Sequence, residues 1–151
     1  MTTIGNIIDQ ISILEQRIKV SHDKQENTYA LREQLGWLFK SMGDVLIESF
    51  SGQRPFTFAK NKHYDSAVQV DDNMSLLETI TLLNRMNQKL WALEDMRRDE
   101  TTTDEQRLKA ADSVSVHNKM RNDAIDKIDA HIQGGARHSH NRLFQKDKFT
   151  L

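Results

Sequence analysis

The sequence of 151 residues contains no cysteine. This absence excludes disulfide bonds, thiol nucleophiles, thiolate zinc sites and iron–sulfur clusters. Proline and glycine are also scarce, with one and six residues, which excludes collagen-like and elastic chains. A hydrophobic share of 37% argues against a wholly disordered chain, and the length suits one domain with a buried core.

An excess of charge of one sign is lacking as well. Lys and Arg number 21 and Asp and Glu number 22, so the formal net charge is -1. We therefore expect no general attraction to nucleic acid or to anionic lipid. The sequence has neither the basic and apolar segments of a secretion signal nor an apolar run long enough to cross a bilayer. These features predict a soluble cytoplasmic protein that has neither a membrane nor a nucleic-acid partner.

Apolar residues recur at helical spacing in four stretches, which predicts an all-α fold. The first helix is predicted over residues 3–20 and the second over residues 31–50, with Gly52 as a stop signal. A capping box, Ser-Leu-Leu-Glu at residues 75–78, starts a third helix that reaches about Asp99.

The fourth helix is predicted to begin at a second capping box, Thr-Thr-Asp-Glu at residues 102–105, and to end at the glycine pair at residues 134–135. Its apolar stripe consists of Leu108, Ala111, Val114, Ile125, Ile128 and Ile132. The short joint before it forces a helical hairpin.

Together the four helices favour an antiparallel bundle over residues 1–135, followed by a flexible basic tail over residues 136–151. The long central loop at residues 53–73 either packs across the bundle or is functional. It would also permit two subunits to exchange helical hairpins, so a homo-oligomer is one of the predicted arrangements.

Polar residues follow one face of the third helix at steps of three and four. They are Asn84, Asn87, Trp91, Glu94 and Arg98. A matching seam on the fourth helix, flanked by Arg121 and Asp126, consists of Ser115, Asn118, Asn122, Ile125 and Asp129. Hairpin geometry is expected to bring the two seams together.

Unpaired polar groups near a bundle interior cost roughly 1–3 kcal/mol each, so these side chains must satisfy one another or a ligand. Three interpretations stay open: a structural network in which Glu94 or Asp95 pairs with Arg98 or Arg121, a ligand pocket, or a solvated face. Arginine forks, carboxamides and an indole ring suit an anionic or nucleotide-like small molecule. The candidate ligand-binding residues are Asn87, Trp91, Glu94, Asp95, Arg98, Asn118, Arg121 and Asn122.

Carboxylates at helical spacing form a candidate magnesium site. The third helix carries Asp95 and Asp99, and the fourth carries Asp126 between Asp123 and Asp129. We take Asp95, Asp99 and Asp126 as the candidate metal ligands, although acidic residues with this spacing often simply face water.

Two segments also resemble an uncharacterised bacterial all-helical family of unknown function that is often encoded beside surface-glycan glycosyltransferases. Residues 87–98 carry Asn-x-x-Leu-Trp-x-x-Glu-Asp-x-x-Arg, and residues 118–129 carry Asn-x-x-Arg-Asn-Asp-x-Ile-x-x-Ile-Asp. Residues 8–15 are similar to the family's opening helix. The resemblance implies a set of family residues: Asn87, Trp91, Glu94, Asp95, Arg98, Asn118, Arg121, Asn122, Asp123 and Asp129, with Asp9, Ser12 and Glu15.

Three functions are compatible with these features. The first is a small-molecule-binding or accessory protein, which the resemblance links to sugar-nucleotide or surface-glycan metabolism. The second is a magnesium-dependent, all-helical nucleotide pyrophosphohydrolase. However, the Glu-x-x-Glu and Glu-x-x-Asp pairs of such enzymes are not clearly present. The third is an interaction subunit that docks on a protein partner through its basic tail or central loop.

Overall fold

The computed structural model describes residues 2–52 and 73–148, and side chains as far as residue 135. It contains the helices α1 (Ile4–Asp23), α2 (Tyr29–Phe50), α3 (Leu76–Arg98) and α4 (Asp104–Lys148). The described ranges contain no strand. The predicted all-α fold of four helices is therefore confirmed. The central loop, apart from Asn73, lies outside the described residues.

Helices α1 and α2 contact each other as a hairpin. The Asn6 N–H donates to Thr3 Oγ1 at the start of α1 (3.2 Å), which satisfies one of the donors that a helix start leaves unpaired. At the other end Gln25 adopts a left-handed conformation with φ 58°, and the Glu26 N–H donates to the Ser21 carbonyl (2.9 Å). These contacts stop α1 and reverse the chain toward α2. The buried apolar side chains of α1 are Ile4, Ile7, Ile11, Leu14 and Ile18.

The start of α3 agrees with the sequence, whereas the start of α4 is displaced. At α3 the Glu78 N–H donates to Ser75 Oγ (3.1 Å). At α4 the capping residue is Thr103: its N–H donates to Gln106 Oε1 (3.0 Å), and its Oγ1 accepts from the Gln106 N–H (3.2 Å). The box predicted at residues 102–105 is therefore wrong by one position, because the Thr102 hydroxyl instead donates to the Met96 carbonyl at the end of α3 (2.9 Å).

The prediction that the glycine pair ends the fourth helix is wrong. Helix α4 continues through Lys148. Among the described glycines the positive φ belongs to Gly52, so neither Gly134 nor Gly135 has the left-handed conformation that ends a helix. A Cβ placed on Gly135 would lie 3.5 Å from the Phe50 ring, which shows that this aromatic ring packs against the glycine. The predicted boundary between bundle and flexible tail at residue 135 stays a prediction.

The chain divides into two compact units. In the described ranges, the first comprises α1, α2 and the part of α4 that begins at Ile128, and the second comprises α3 with α4 up to Lys127. Leu108, assigned to the apolar stripe of α4, is exposed, and Ala110 is the buried residue at that turn. The assignment of Leu108 to the stripe is therefore wrong, whereas Ala111 and Val114 are half-buried. No described helix is both long and apolar enough to span a bilayer.

Candidate functional site

The turn between α3 and α4 is held by Asp99. Its Oδ1 accepts hydrogen bonds from the Thr101 N–H (2.9 Å) and the Thr101 hydroxyl (2.7 Å), and these bonds lower the pKa of the Asp99 carboxyl below its ordinary value of 3.8. The Arg107 guanidinium donates from α4 to the Asp99 carbonyl (3.1 Å). The two polar faces therefore extend from a turn that is hydrogen-bonded to both helices.

Burial differs along the polar face of α3. Asn87 is only 4% exposed, and Trp91 and Glu94 are half-buried. Asp95 and Arg98 are exposed, because they lie in the last turn of α3, next to the hairpin turn. Of the five predicted ligand residues on α3, three are thus at least partly enclosed by protein.

Glu94 forms an ion pair within its own helix. Its Oε1 accepts from Arg97 Nη1 at 3.0 Å, and both side chains remain substantially exposed. The predicted network named Arg98 and Arg121 as partners, so Arg97 is a residue that the sequence analysis missed. The signal was available, since opposite charges three residues apart on a helix are neighbours.

The polar residues of α4 lie in a partly buried row. Asn118, Arg121, Asn122 and Asp126 are all half-buried, whereas Ser115 is exposed. Arg121, Asn122 and Asp126 each have an interaction partner. These side chains are in contact with both protein and solvent. A polar group in this position can exchange a hydrogen-bond partner in the protein for one in a ligand.

His117, next to this row, is bound to its own helix. Its Nδ1 lies 2.7 Å from the Ser113 carbonyl oxygen. A carbonyl oxygen can only accept, so Nδ1 carries the proton and donates. This bond fixes the position of the ring.

Asp129, the last residue of the family-like pattern, has a structural contact in the first unit. It is buried, and its Oδ1 accepts a 2.7 Å hydrogen bond from the Gly5 N–H. Gly5 lies in the first turn of α1, where N–H groups lack helical partners and the helix dipole favours a negative charge. The Asp129 carboxylate therefore caps α1 from 124 residues away.

The three residues of α1 that resemble the family pattern differ in how deeply they are buried. Asp9 and Ser12 are buried, and each has an interaction partner, whereas Glu15 is exposed. Buried polar groups with partners commonly hold a fold in register. In the first unit, the family-like pattern therefore includes residues that fit a structural role.

The surroundings of two candidate metal ligands, Asp95 and Asp99, are described. Within the described residues, no group of three or more His, Asp or Glu side chains could hold a metal ion, and Asp95, Asp99 and Asp126 are among the residues searched. The Asp99 Oδ1 accepts hydrogen bonds from Thr101 in the turn. The Asp95 side chain is exposed on α3.

A groove also lies between α1 and α2. It has a volume of about 200 Å³ and is lined by Gln10, Ile13, Leu14, Arg17, Gln34 and Leu38. Sites for drug-sized ligands are usually about 300–1,000 Å³, so this groove is small for a nucleotide.

Residues 77–146 match the sequence model of a family described as "Protein of unknown function (DUF4254)". The matched range begins in α3 and includes both polar faces of the hairpin. The expectation that this part of the chain is similar to an uncharacterised domain family is confirmed. No curated protein and no solved structure matches the chain.

Proposed function

We propose that the protein is a small-molecule-binding accessory protein whose α3–α4 hairpin binds an anionic, nucleotide-like ligand. The observation that carries the proposal is the partial burial of Trp91 on α3 and of Asn118, Arg121 and Asn122 on α4. These four residues belong to one compact unit. They combine a ring that can stack, a planar cation and two carboxamides.

The contrast with Asn87 and Asp129 supports this interpretation. Those two side chains are buried and have partners, as expected for groups that hold the fold together. Arg121 has a partner too, but it is only half-buried and can be approached from solvent. A guanidinium in this position can give its fork of N–H donors to a phosphate or carboxylate.

Each group has a definite role in the proposal. Arg121 binds the anionic group of the ligand, and Asn118 and Asn122 donate and accept hydrogen bonds one helical turn apart on the same face. The Trp91 indole stacks on a planar ring. The exposed Asp95 and Arg98 lie toward the solvent side of the bound ligand.

Replacing Arg121 with alanine is the direct test. We expect at least one of ATP, UDP and UDP-glucose, with or without Mg²⁺, to raise the melting temperature of the wild type, because a ligand selective for the native state stabilises it. Arg121→Ala should weaken that binding about 30-fold, which corresponds to the roughly 2 kcal/mol of a charge-assisted hydrogen-bonded pair. Differential scanning fluorimetry over a ligand concentration series measures both effects.

The matched control is Arg85→Ala, which removes an exposed arginine from α3. This variant should keep the wild-type shift. A panel without any shift, or an equal shift in Arg121→Ala and wild type, would contradict the proposal.

The other predicted functions have less support. A magnesium-dependent hydrolase needs carboxylates around the metal, and no such group occurs among the described residues. Docking through residues 53–73 depends on a segment of which only Asn73 is described, and docking through the basic tail depends on side chains outside the described part. The link to surface glycans rests on the family resemblance and stays a prediction.

A further inference from the structure

Helix α2 leaves large apolar side chains in solvent. None of its 22 residues is buried. Tyr29 is 69% exposed, Trp37 65%, Ile47 68% and Phe39 46%, and Phe50, whose ring also packs against Gly135, keeps 37% of its surface exposed. In the described part of the first unit, these are all of the exposed large apolar residues. A concentration of this kind on one helix is typical of an interaction surface.

Two of these exposed residues, Tyr29 and Phe50, lie at the ends of a second row on α2. The first row consists of the half-buried Leu31, Leu35, Leu38, Met42 and Val45. The second row repeats every seven residues on another side of the helix and consists of Tyr29, Gly36, Gly43 and Phe50. We call this second row the outer face of α2. A seven-residue repeat is the pattern by which helices pack along a common seam.

Contacts in the described part of one copy do not require glycine at positions 36 and 43. There, a Cβ placed on Gly36 or on Gly43 would meet nothing within 4 Å. Glycine inside a helix costs about 1 kcal/mol relative to alanine. Close approach by another helix is a physical reason for accepting that cost, since glycine lets two backbones come together.

We propose that the outer face of α2 binds the same face of a second copy of this chain, with the two helices antiparallel. In a dimer with a twofold axis, each contact occurs twice: if residue i of one copy contacts residue j of the other, residue j of the first copy also contacts residue i of the second. Along the helix, the point halfway between Gly36 and Gly43 lies between Phe39 and Lys40. The point halfway between Tyr29 and Phe50 is the same. A single register therefore places Gly36 against Gly43 of the partner subunit and Tyr29 against Phe50 of the partner subunit.

The charges near the axis fit this arrangement. Lys40 lies next to the axis, where two lysines would repel each other. Its Nζ is 5.6 Å from the centre of the Trp37 ring. At 100° per residue, Trp37 lies on the side of Lys40 away from the glycines. The cation–π contact thus draws the ammonium group off the seam.

The exposed apolar area on and beside the outer face supplies about half of what a stable dimer requires. With side chains of about 200 Å² each, the exposed fractions of Tyr29, Phe39, Ile47 and Phe50 leave on the order of 400 Å² per copy. A standard interface buries about 800 Å² per partner, including its polar rim. The glycine backbone and the flanking polar residues of α2 can supply the remainder.

The test measures the mass of the full chain in solution. By size-exclusion chromatography with light scattering at about 100 µM, we expect the wild type to have twice the 17.5 kDa mass of one chain. The double variant Gly36→Glu, Gly43→Glu should weaken the dimer on the order of 100-fold, because it places like charges in the seam. Since neither Cβ meets an atom of the described residues and glutamate is a better helix former than glycine, the variant should keep its helical circular dichroism.

Ser41→Glu is the control, because Ser41 is exposed on α2 but lies off the outer face. It should remain dimeric. A monomeric wild type overturns the proposal, as does a double variant that dimerises as tightly as the wild type. The ligand proposal is tested separately, since Arg121 lies in the other compact unit.

Discussion

Replacing Asp129 with alanine is expected to lower the free energy of unfolding by about 3 kcal/mol, the upper range for a hydrogen bond to a charged group. The buried carboxylate accepts from the Gly5 N–H at 2.7 Å, so its loss leaves a donor of the first turn of α1 without its partner. The favourable interaction of the charge with the helix dipole is lost at the same time.

Urea denaturation followed by circular dichroism measures this loss. Asp129→Asn keeps an oxygen acceptor and loses the charge, so it should fall between wild type and Asp129→Ala. Asp112→Ala removes an exposed aspartate from the same helix and should change stability by no more than about 0.5 kcal/mol. If Asp129→Ala is as stable as Asp112→Ala, the carboxylate does not hold α1 in place.

Replacing Leu83 with alanine should have an effect of similar size in the second unit. Leu83 is 0% exposed, and leucine-to-alanine changes at such sites cost about 2–5 kcal/mol, through lost burial and the cavity that remains. For a chain of this length, a loss of about 3 kcal/mol corresponds to a melting temperature lower by roughly 6–12 °C.

Leu77→Ala is the matched control, since it makes the same chemical change on the same helix at a residue that is 73% exposed. Differential scanning calorimetry of the two variants compares them directly. We expect Leu77→Ala to melt close to the wild type. Equal melting temperatures for both variants would mean that Leu83 is not a core residue of its unit.

Much of the helical architecture could be predicted because its determinants are local. The Ser75 and Glu78 pair is recognisable from spacing, and it caps α3. The bond between Gly5 and Asp129 joins residues 124 apart, so spacing within one helix cannot reveal it. The glycine pair shows a different limit, because Gly135 packs against the Phe50 ring and α4 continues.

The candidate site was only partly predictable for a similar reason. Helical periodicity places Asn87, Trp91 and Arg98 on one face, but it does not determine how deeply each is covered. The structure buries Asn87, half-buries Trp91 and exposes Arg98. The outer face of α2 is not evident from the sequence, because the leucine row on another side of the helix already accounts for an amphipathic helix.

The most direct test of ligand binding uses Trp91 fluorescence. The sequence has two tryptophans, so a Trp37→Phe background leaves Trp91 as the single reporter. Titration of this protein with ATP, UDP and UDP-glucose in turn should give a saturable change in emission for at least one of them, and Arg121→Ala in the same background should require a far higher concentration. Unchanged emission with all three compounds, or identical titration curves with and without Arg121, would contradict a ligand site on the α3–α4 hairpin.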